Sequence, residues 1–295
     1  MTNCCRYGVR TFPEHDNFES CIQYYLQEAY KNSWVCAIMV QESWDPYYTG
    51  IMKEIEDGFV IELIRGSMVT KGAVPVTQYI VNSGGTISYK EEINQSSWYS
   101  ILEGHVLYCI CNNDDHTLVT LRNNEIRQIV EKFSPLIEDS SSSVEFGVLK
   151  KDFEDAAIPY FMDLADNEVT LDINSADIEE GIISRGIVSG KPVRIAGNFS
   201  ADEIKEYVRK EPTVYFCRKP ELPLLSLIAM EKGVEIGFVF EQASVNCHVA
   251  AVLREKRIPA VKMKWADIPK NYFGEICRLN ASASGLHGKE RLLWK

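Results

Sequence analysis

The stretch Gly233–Met263, GVEIGFVFEQASVNCHVAAVLREKRIPAVKM, decides the fold class. Val234–Glu241 is a mostly apolar run of strand length, and Gln242–Cys247 is a polar turn. His248 then opens a helix to Lys256 whose next residues, Val249, Ala250, Ala251, Val252 and Leu253, are small or apolar. Ile258–Met263 reads as the following strand. The same rhythm extends upstream. Gly181–Ile195 is a glycine-punctuated β region, and Ala201–Lys210 a helix introduced by Ser200 with Glu203 three residues on, the reciprocal capping pattern. Val214–Cys217 is a strand and Leu222–Lys232 a helix closed by Gly233. Strands alternating with helices make residues 181–295 an α/β unit.

The front of the chain is mixed α+β. Asn17–Lys31 carries apolar residues at helical spacings, and Val35–Gln41, Gly58–Leu63 and Gln78–Val81 are short apolar runs of strand type. Gly84-Gly85 between QYIV and TISYKEE signals a hairpin. A second strand pair is expected from Val106–Cys111 and Thr117–Leu121, turning through Asn112–Asp115. Glu125–Ser134 reads as a helix, Val144–Leu149 and Ile158–Met162 as strands. Asp163–Glu180 then holds seven acidic residues and no continuous apolar run, so it is expected to be an extended tether. The organisation expected is therefore a front domain over 1–165, an acidic linker over 166–180 and a back domain over 181–295.

The 295 residues are 45% hydrophobic and 25% charged, which excludes disorder throughout. No apolar run approaches the roughly 18 residues of a spanning helix, and the N-terminus has no secretory pattern, so no membrane and a cytoplasmic location are expected. The nine cysteines fit neither a zinc knuckle nor a CxxC pair and read as reduced thiols. The net charge of −11 is unevenly spread. Residues 1–180 hold 12 Lys and Arg against 30 Asp and Glu, whereas residues 181–295 hold 19 against 12. A front of −18 and a back of +7 argue against nucleic acid as partner, although the back could bind a phosphate-bearing ligand.

His248 is the residue most suited to chemistry. Unpaired backbone N–H groups gather where a helix begins, so a phosphate near this imidazole would be stabilised. An imidazole is largely neutral at physiological pH and is a nucleophile without a separate base. The same position also suits a capping or packing histidine. A thiol at a helix start can have a lowered pKa, which makes Cys247 a competing nucleophile, although neighbouring helical side chains diverge by about 100°.

The segment is similar to the phosphohistidine swivel domain of the phosphoenolpyruvate synthase and pyruvate phosphate dikinase family. His248 matches the phosphorylated histidine, Arg254-Glu255 an Arg-Glu pair on the helix, and Ile258-Pro259-Ala260-Val261 the closing strand. Gly186–Lys191 resembles the domain's opening and Cys277–Gly288 its trailing strands. Gln242 and Ala243 stand where the family has turn glycines, and Asn246-Cys247 where it has Thr-Ser.

The front then resembles part of the family's ATP-grasp domain. AIMVQESWDPYYTGIMKE and FVIELIRGSMVTKGAVPVTQYIV look like its strand-and-turn segments, and Val144-Glu145-Phe146 like its magnesium-holding strand. This resemblance implies nucleotide contacts from Arg10, Gln41, Glu62 and Lys71, magnesium held by Glu145, and ATP and Mg as cofactors. Phe161–Ala165 stands where the family has a Gln- and Arg-bearing strand, and nothing matches the nucleotide lobe or the pyruvate barrel. The implied function is a component of a split ATP-dependent phosphotransferase. A protein partner supplies the N-terminal ATP-grasp lobe, and His248, helped by Arg254, carries the phosphoryl group to a small-molecule acceptor. The alternative is a degenerate, non-catalytic subunit that binds a partner or nucleotide.

Overall fold

A computed structural model of the chain describes residues 18–33, 45–66, 75–102, 105–110, 117–150, 155–165, 171–195, 200, 202–231, 233–268, 275–282, 286 and 288–294. It is a mixed α/β structure, mostly strands with some helices. The front begins with α1 (Phe18–Lys31) and continues through the antiparallel strands β1 (Tyr48–Ile55), β2 (Gly58–Arg65), β3 (Thr77–Asn82) and β4 (Ile87–Glu91). Short strands follow: β5 (Ile93–Asn94), β6 (Ser97–Leu102), β7 (His105–Ile110) and β8 (Leu118–Val119). Then come α2 (Asn123–Phe133), β9 (Ser143–Leu149) and β10 (Ile158–Ala165). The main sheet runs β10-β9-β1-β2-β3-β4. Gly85 makes the β3–β4 hairpin possible, since its φ of 77° is one that side-chain-bearing residues avoid.

Period-two alternation gives this sheet two unlike faces. One face turns Tyr48, Met52, Ile61, Leu63, Tyr79, Val81, Val144 and Phe146 onto Ile126, Ile129, Val130 and Phe133 of α2, and all are buried. Burying one such side chain contributes roughly 1.5–3 kcal/mol. The other face carries a polar row. Ile51 of β1 lies opposite both Glu62 of β2 and Glu145 of β9, Glu62 lies opposite Gln78, Gln78 opposite Glu91, and Glu145 opposite Asp163.

The back contains α3 (Ser175–Glu179), β11 (Ile182–Ser184), β12 (Ile187–Ile195), β13 (Thr213–Cys217) and α4 (Leu224–Met230). It continues with β14 (Ile236–Phe240), α5 (His248–Glu255), β15 (Ala260–Lys262), β16 (Cys277–Asn280) and β17 (Leu292–Trp294). Its sheet runs β11-β15-β14-β13-β12-β16-β17, with the central β15-β14-β13-β12 parallel. Every residue of β13 and β14 is buried, as expected of parallel strands covered on both faces. Val214, Phe216, Val239 and Val261 face Leu279 and Leu292. Tyr215, Phe238 and Phe240 face α4 and α5, and Ile55, Val60 and Ile80 of the front sheet belong to that same core.

Three expectations are corrected. The strand at 106–111 pairs with β6 and not with 117–121; Leu118–Val119 pairs instead with β5. The two-residue connection from Leu102 to His105 closes the β6–β7 hairpin at lower entropic cost than a longer loop. The acidic segment is no extended tether where it is described. Leu171, Ile173 and Ile178 are buried, and Asn174 and Asp177 cap α3 reciprocally through their side chains and backbone N–H groups. Its carboxylates are accommodated by arginines: Arg185 pairs with Asp177, with Asp172 at 3.6 Å and, across to the front, with Glu56 at 3.4 Å, while buried Arg291 pairs with Glu180. Third, 201–210 forms only a 3-10 turn over Glu203–Tyr207, although the Ser200–Glu203 capping pair is made in both directions (2.7 and 3.2 Å). The strand expected at 35–41 lies outside the described residues, as does the turn at 112–115. Among the described residues, no helix is long and apolar enough to cross a membrane.

Candidate functional site

The parallel β14-α5-β15 crossover brings the chain to α5 through the Gln242–Cys247 turn. Cys247, in extended conformation, precedes the first helical residue, His248, and its carbonyl accepts from Ala251 N at 3.0 Å. Val249, Ala250 and Leu253 are buried in the core, which fixes the helix roll and leaves the His248 side chain exposed. Arg254, one helical turn and a half further on, reaches back. Its Nη1 donates to the carbonyls of Val245 (2.7 Å) and Ile183 (3.3 Å), so the guanidinium ties α5 both to its own turn and to β11.

The same turn is held from outside by the front sheet. Glu62 is fully buried, and its carboxylate accepts from Ser244 Oγ (2.5 Å), Val245 N (2.9 Å), Asn246 N (3.3 Å) and Gln78 Nε2 (2.9 Å). Four donors converge on one side chain, three of them from a turn more than 180 residues later. Beside this contact, Lys262 of β15 forms an ion pair with Glu91 of β4, at the end of the polar row.

Of the residues singled out by sequence, the structure brings Glu62, His248 and Arg254 to one turn. Glu145 lies in the same row as Glu62, two strands away across Ile51, a backbone separation of about 10 Å. Arg10, Gln41 and Lys71 lie outside the described residues. With both Glu62 oxygens engaged by donors from the turn and from Gln78, it offers no free oxygen to magnesium, and no group of three His, Cys, Asp or Glu suited to a metal ion occurs among the described residues. The described residues alone therefore do not make a magnesium cage.

Ser244 and Gln78 were not expected as part of this site. The signal lay in Glu62 itself: an acid in the apolar run GFVIELIR must find donors when buried. Which donors it finds depends on a contact that local pattern does not encode.

Cys247 is removed as a nucleophile. It is 1% exposed, and burial, with a smaller contribution from Glu62, pushes its thiol up to about 11 from the ordinary value of 9.0. At neutral pH it remains a protonated packing atom. Cys217 and Cys277 are raised by burial in the same way.

No family model matches this chain, and no curated protein matches it.

Proposed function

We propose that this chain is a phosphoryl-carrying component of a split ATP-dependent phosphotransferase, built from an ATP-grasp-like front and a phosphohistidine swivel-like back, with His248 as the carrier. The observation that supports this reading is the exposed imidazole on the first residue of α5, on a helix whose opposite side is buried. An imidazole nitrogen there can form an N–P bond as the O–P bond to the departing nucleotide oxygen breaks, and an acceptor hydroxyl or enolate oxygen then takes the phosphoryl group and frees the nitrogen. Arg254 acts as a positioning residue in this reading, because its hydrogen bonds run to the turn's backbone. The nucleotide lobe, and ligands to accompany Glu145 on magnesium, come from a partner chain, and the acceptor is a small molecule. In that frame Glu62 docks the carrier and does not contact nucleotide.

The test is incubation of the full chain with labelled ATP, magnesium and the chain that carries the nucleotide lobe. An acid-labile, alkali-stable phosphate should map to His248 and vanish in His248→Ala with folding retained. Label on a serine or on Cys247, or none with the partner present, overturns the proposal. One observation favours a second reading, a non-catalytic binding subunit: the front and back share an apolar core through Ile55, Val60 and Ile80. For such a subunit, His248→Ala would support the partner's activity as well as the native chain does.

A further inference from the structure

We infer that the outer edge of β7 is a docking edge for a partner protein, which adds one extended, uncharged strand flanked by Lys or Arg. This is independent of the phosphoryl-carrier reading, since it involves neither His248 nor its turn. A sheet edge presents unpaired N–H and C=O groups, and proteins blunt such edges with charge, proline, a bulge or shortness. The other edges of this chain are blunted. Among the described residues, β10 carries Pro159 and a register shift between Phe161 and Asp163, and β4 ends in Lys90 and Glu91. Strands β11 and β17 have three residues each, and β5 and β8 two. β7 has none of these devices. HVLYCI is six residues without Lys, Arg, Asp, Glu or Pro, and its ladder with β6 runs unbroken from Ser97 opposite Ile110 to Leu102 opposite His105.

The inner strand of the hairpin is already engaged. β6 meets the end of β2, where Gly66 leaves no room for a Cβ against the Tyr99 carbonyl oxygen. Trp98 lies against the Arg65 guanidinium at 3.8 Å, buried Ser100 donates to Asp45 at 2.5 Å, and Gln95 Nε2 donates to the Ser97 carbonyl at 3.0 Å. No described strand pairs with the far side of β7. Apolar surface is left in water there. Leu107 is exposed, Tyr108 is 61% and Ile110 63% exposed, and Tyr108 makes a cross-strand aromatic pair with Tyr99, ring centroids 5.4 Å apart. Two strands alone are marginal in water, and a third, hydrogen-bonded to β7, extends the ladder and covers these side chains. Charge selects the occupant. In sequence the strand is bracketed by acids, Glu103 before it and Asp114-Asp115 after it, on a front that holds 12 Lys and Arg against 26 Asp and Glu over residues 1–170. A second copy would set these acidic flanks against its own, which costs energy, whereas a strand with basic flanks gains from them at both ends.

The test uses the full chain and a fluorescent peptide of alternating valine and threonine with a pair of lysines at each end. Binding is followed by anisotropy and by the backbone amide resonances of Leu107, Tyr108, Cys109 and Ile110. One control peptide carries glutamates in place of the lysines, and another is N-methylated at every valine and threonine, which removes its strand donors. The lysine peptide should saturate, bind at least tenfold more tightly than the glutamate peptide and shift those four amides, and sodium chloride should weaken it severalfold. The methylated peptide should not bind. Ile110→Lys, with folding verified by circular dichroism, guards the edge with a cation and should weaken the lysine peptide severalfold. If that variant does not fold, the methylated peptide decides the matter on the native chain. Absence of saturation, equal binding of either control peptide, or shifts confined to other amides overturns the inference. Sedimentation of the native chain should show no concentration-dependent dimer, and a dimer that Ile110→Lys dissociates would overturn the choice of occupant and give the edge to a second copy.

Discussion

At the residue scale, burial decides between two adjacent candidates. His248 and Cys247 are neighbours in sequence, yet one faces solvent and the other is inside the core. A group whose folded pKa is raised keeps its proton in the native state while the unfolded chain loses it. Stability is thus complete below about pH 9 and falls as pH rises toward about 11, the window set by the two Cys247 values. Cys247→Ala should lessen that alkaline loss in equilibrium unfolding measurements, with the buried Cys217 and Cys277 thiols keeping their share of it. Mass mapping should find Cys247 unalkylated by iodoacetamide in the native chain at pH 8 and alkylated after denaturation. Native alkylation at the rate of a free thiol would show that the side chain is reachable and return it to the list of nucleophiles.

At the element scale, strands that depend on nearby residues were readable and those that depend on distant ones were not. The β3–β4 hairpin announces itself in Gly84-Gly85, and α5 in the run after His248, because both patterns are local. The pairing of β6 with β7 was missed because SWYSIL was not read as a strand, and α3 because seven acids outweighed Leu171, Ile173 and Ile178 in a composition argument. The contact of Glu62 with the Ser244–Asn246 turn was out of reach of any window, since its halves are more than 180 positions apart. Close approach between elements gives a sharp test of the back sheet. A Cβ on Gly190 of β12 would lie 2.4 Å from backbone atoms of Pro212 and Thr213, which no rotamer change can relieve. Gly190→Ala should therefore cost about 1–3 kcal/mol or more, read as a lowered denaturant midpoint. Gly84→Ala meets its nearest atom, Asn82 Oδ1, only at 3.4 Å and should stay within about 0.5 kcal/mol of the native chain. Equal effects at the two glycines would mean that β12 does not pack so closely on the start of β13.

At the scale of the whole molecule, charge and apolar burial make opposite demands on the seam between front and back. With −14 on residues 1–170 and +3 on residues 171–295, where α3 belongs to the back, long-range attraction alone would hold the two parts only weakly at low ionic strength and let go in salt, because exposed charges are screened over about 10 Å at 0.1 M. The contacts at the seam are of another kind. Ile55, Val60 and Ile80 are 3% exposed or less and lie in one core with Phe238, Phe240 and Leu253. The carboxylate of Glu62 is out of contact with solvent, where mobile ions cannot screen it. Among the described residues, the rim is ionic in the screened sense through Lys262 with Glu91 and Arg185 with Glu56, each of which retains some exposure. Apolar burial is indifferent to moderate salt, and exposed pairs of this type contribute only about 0–1 kcal/mol each. The radius of gyration from small-angle scattering should accordingly stay constant from 20 mM to 500 mM sodium chloride, opposite to the behaviour of parts joined by an acidic tether and net charge alone. Glu62→Ala, by contrast, should expand the molecule at any salt concentration or make it more open to proteolysis near 171–179, because it removes a docking group that salt does not reach. Expansion of the native chain with sodium chloride would show that net charge and not the buried seam holds front to back.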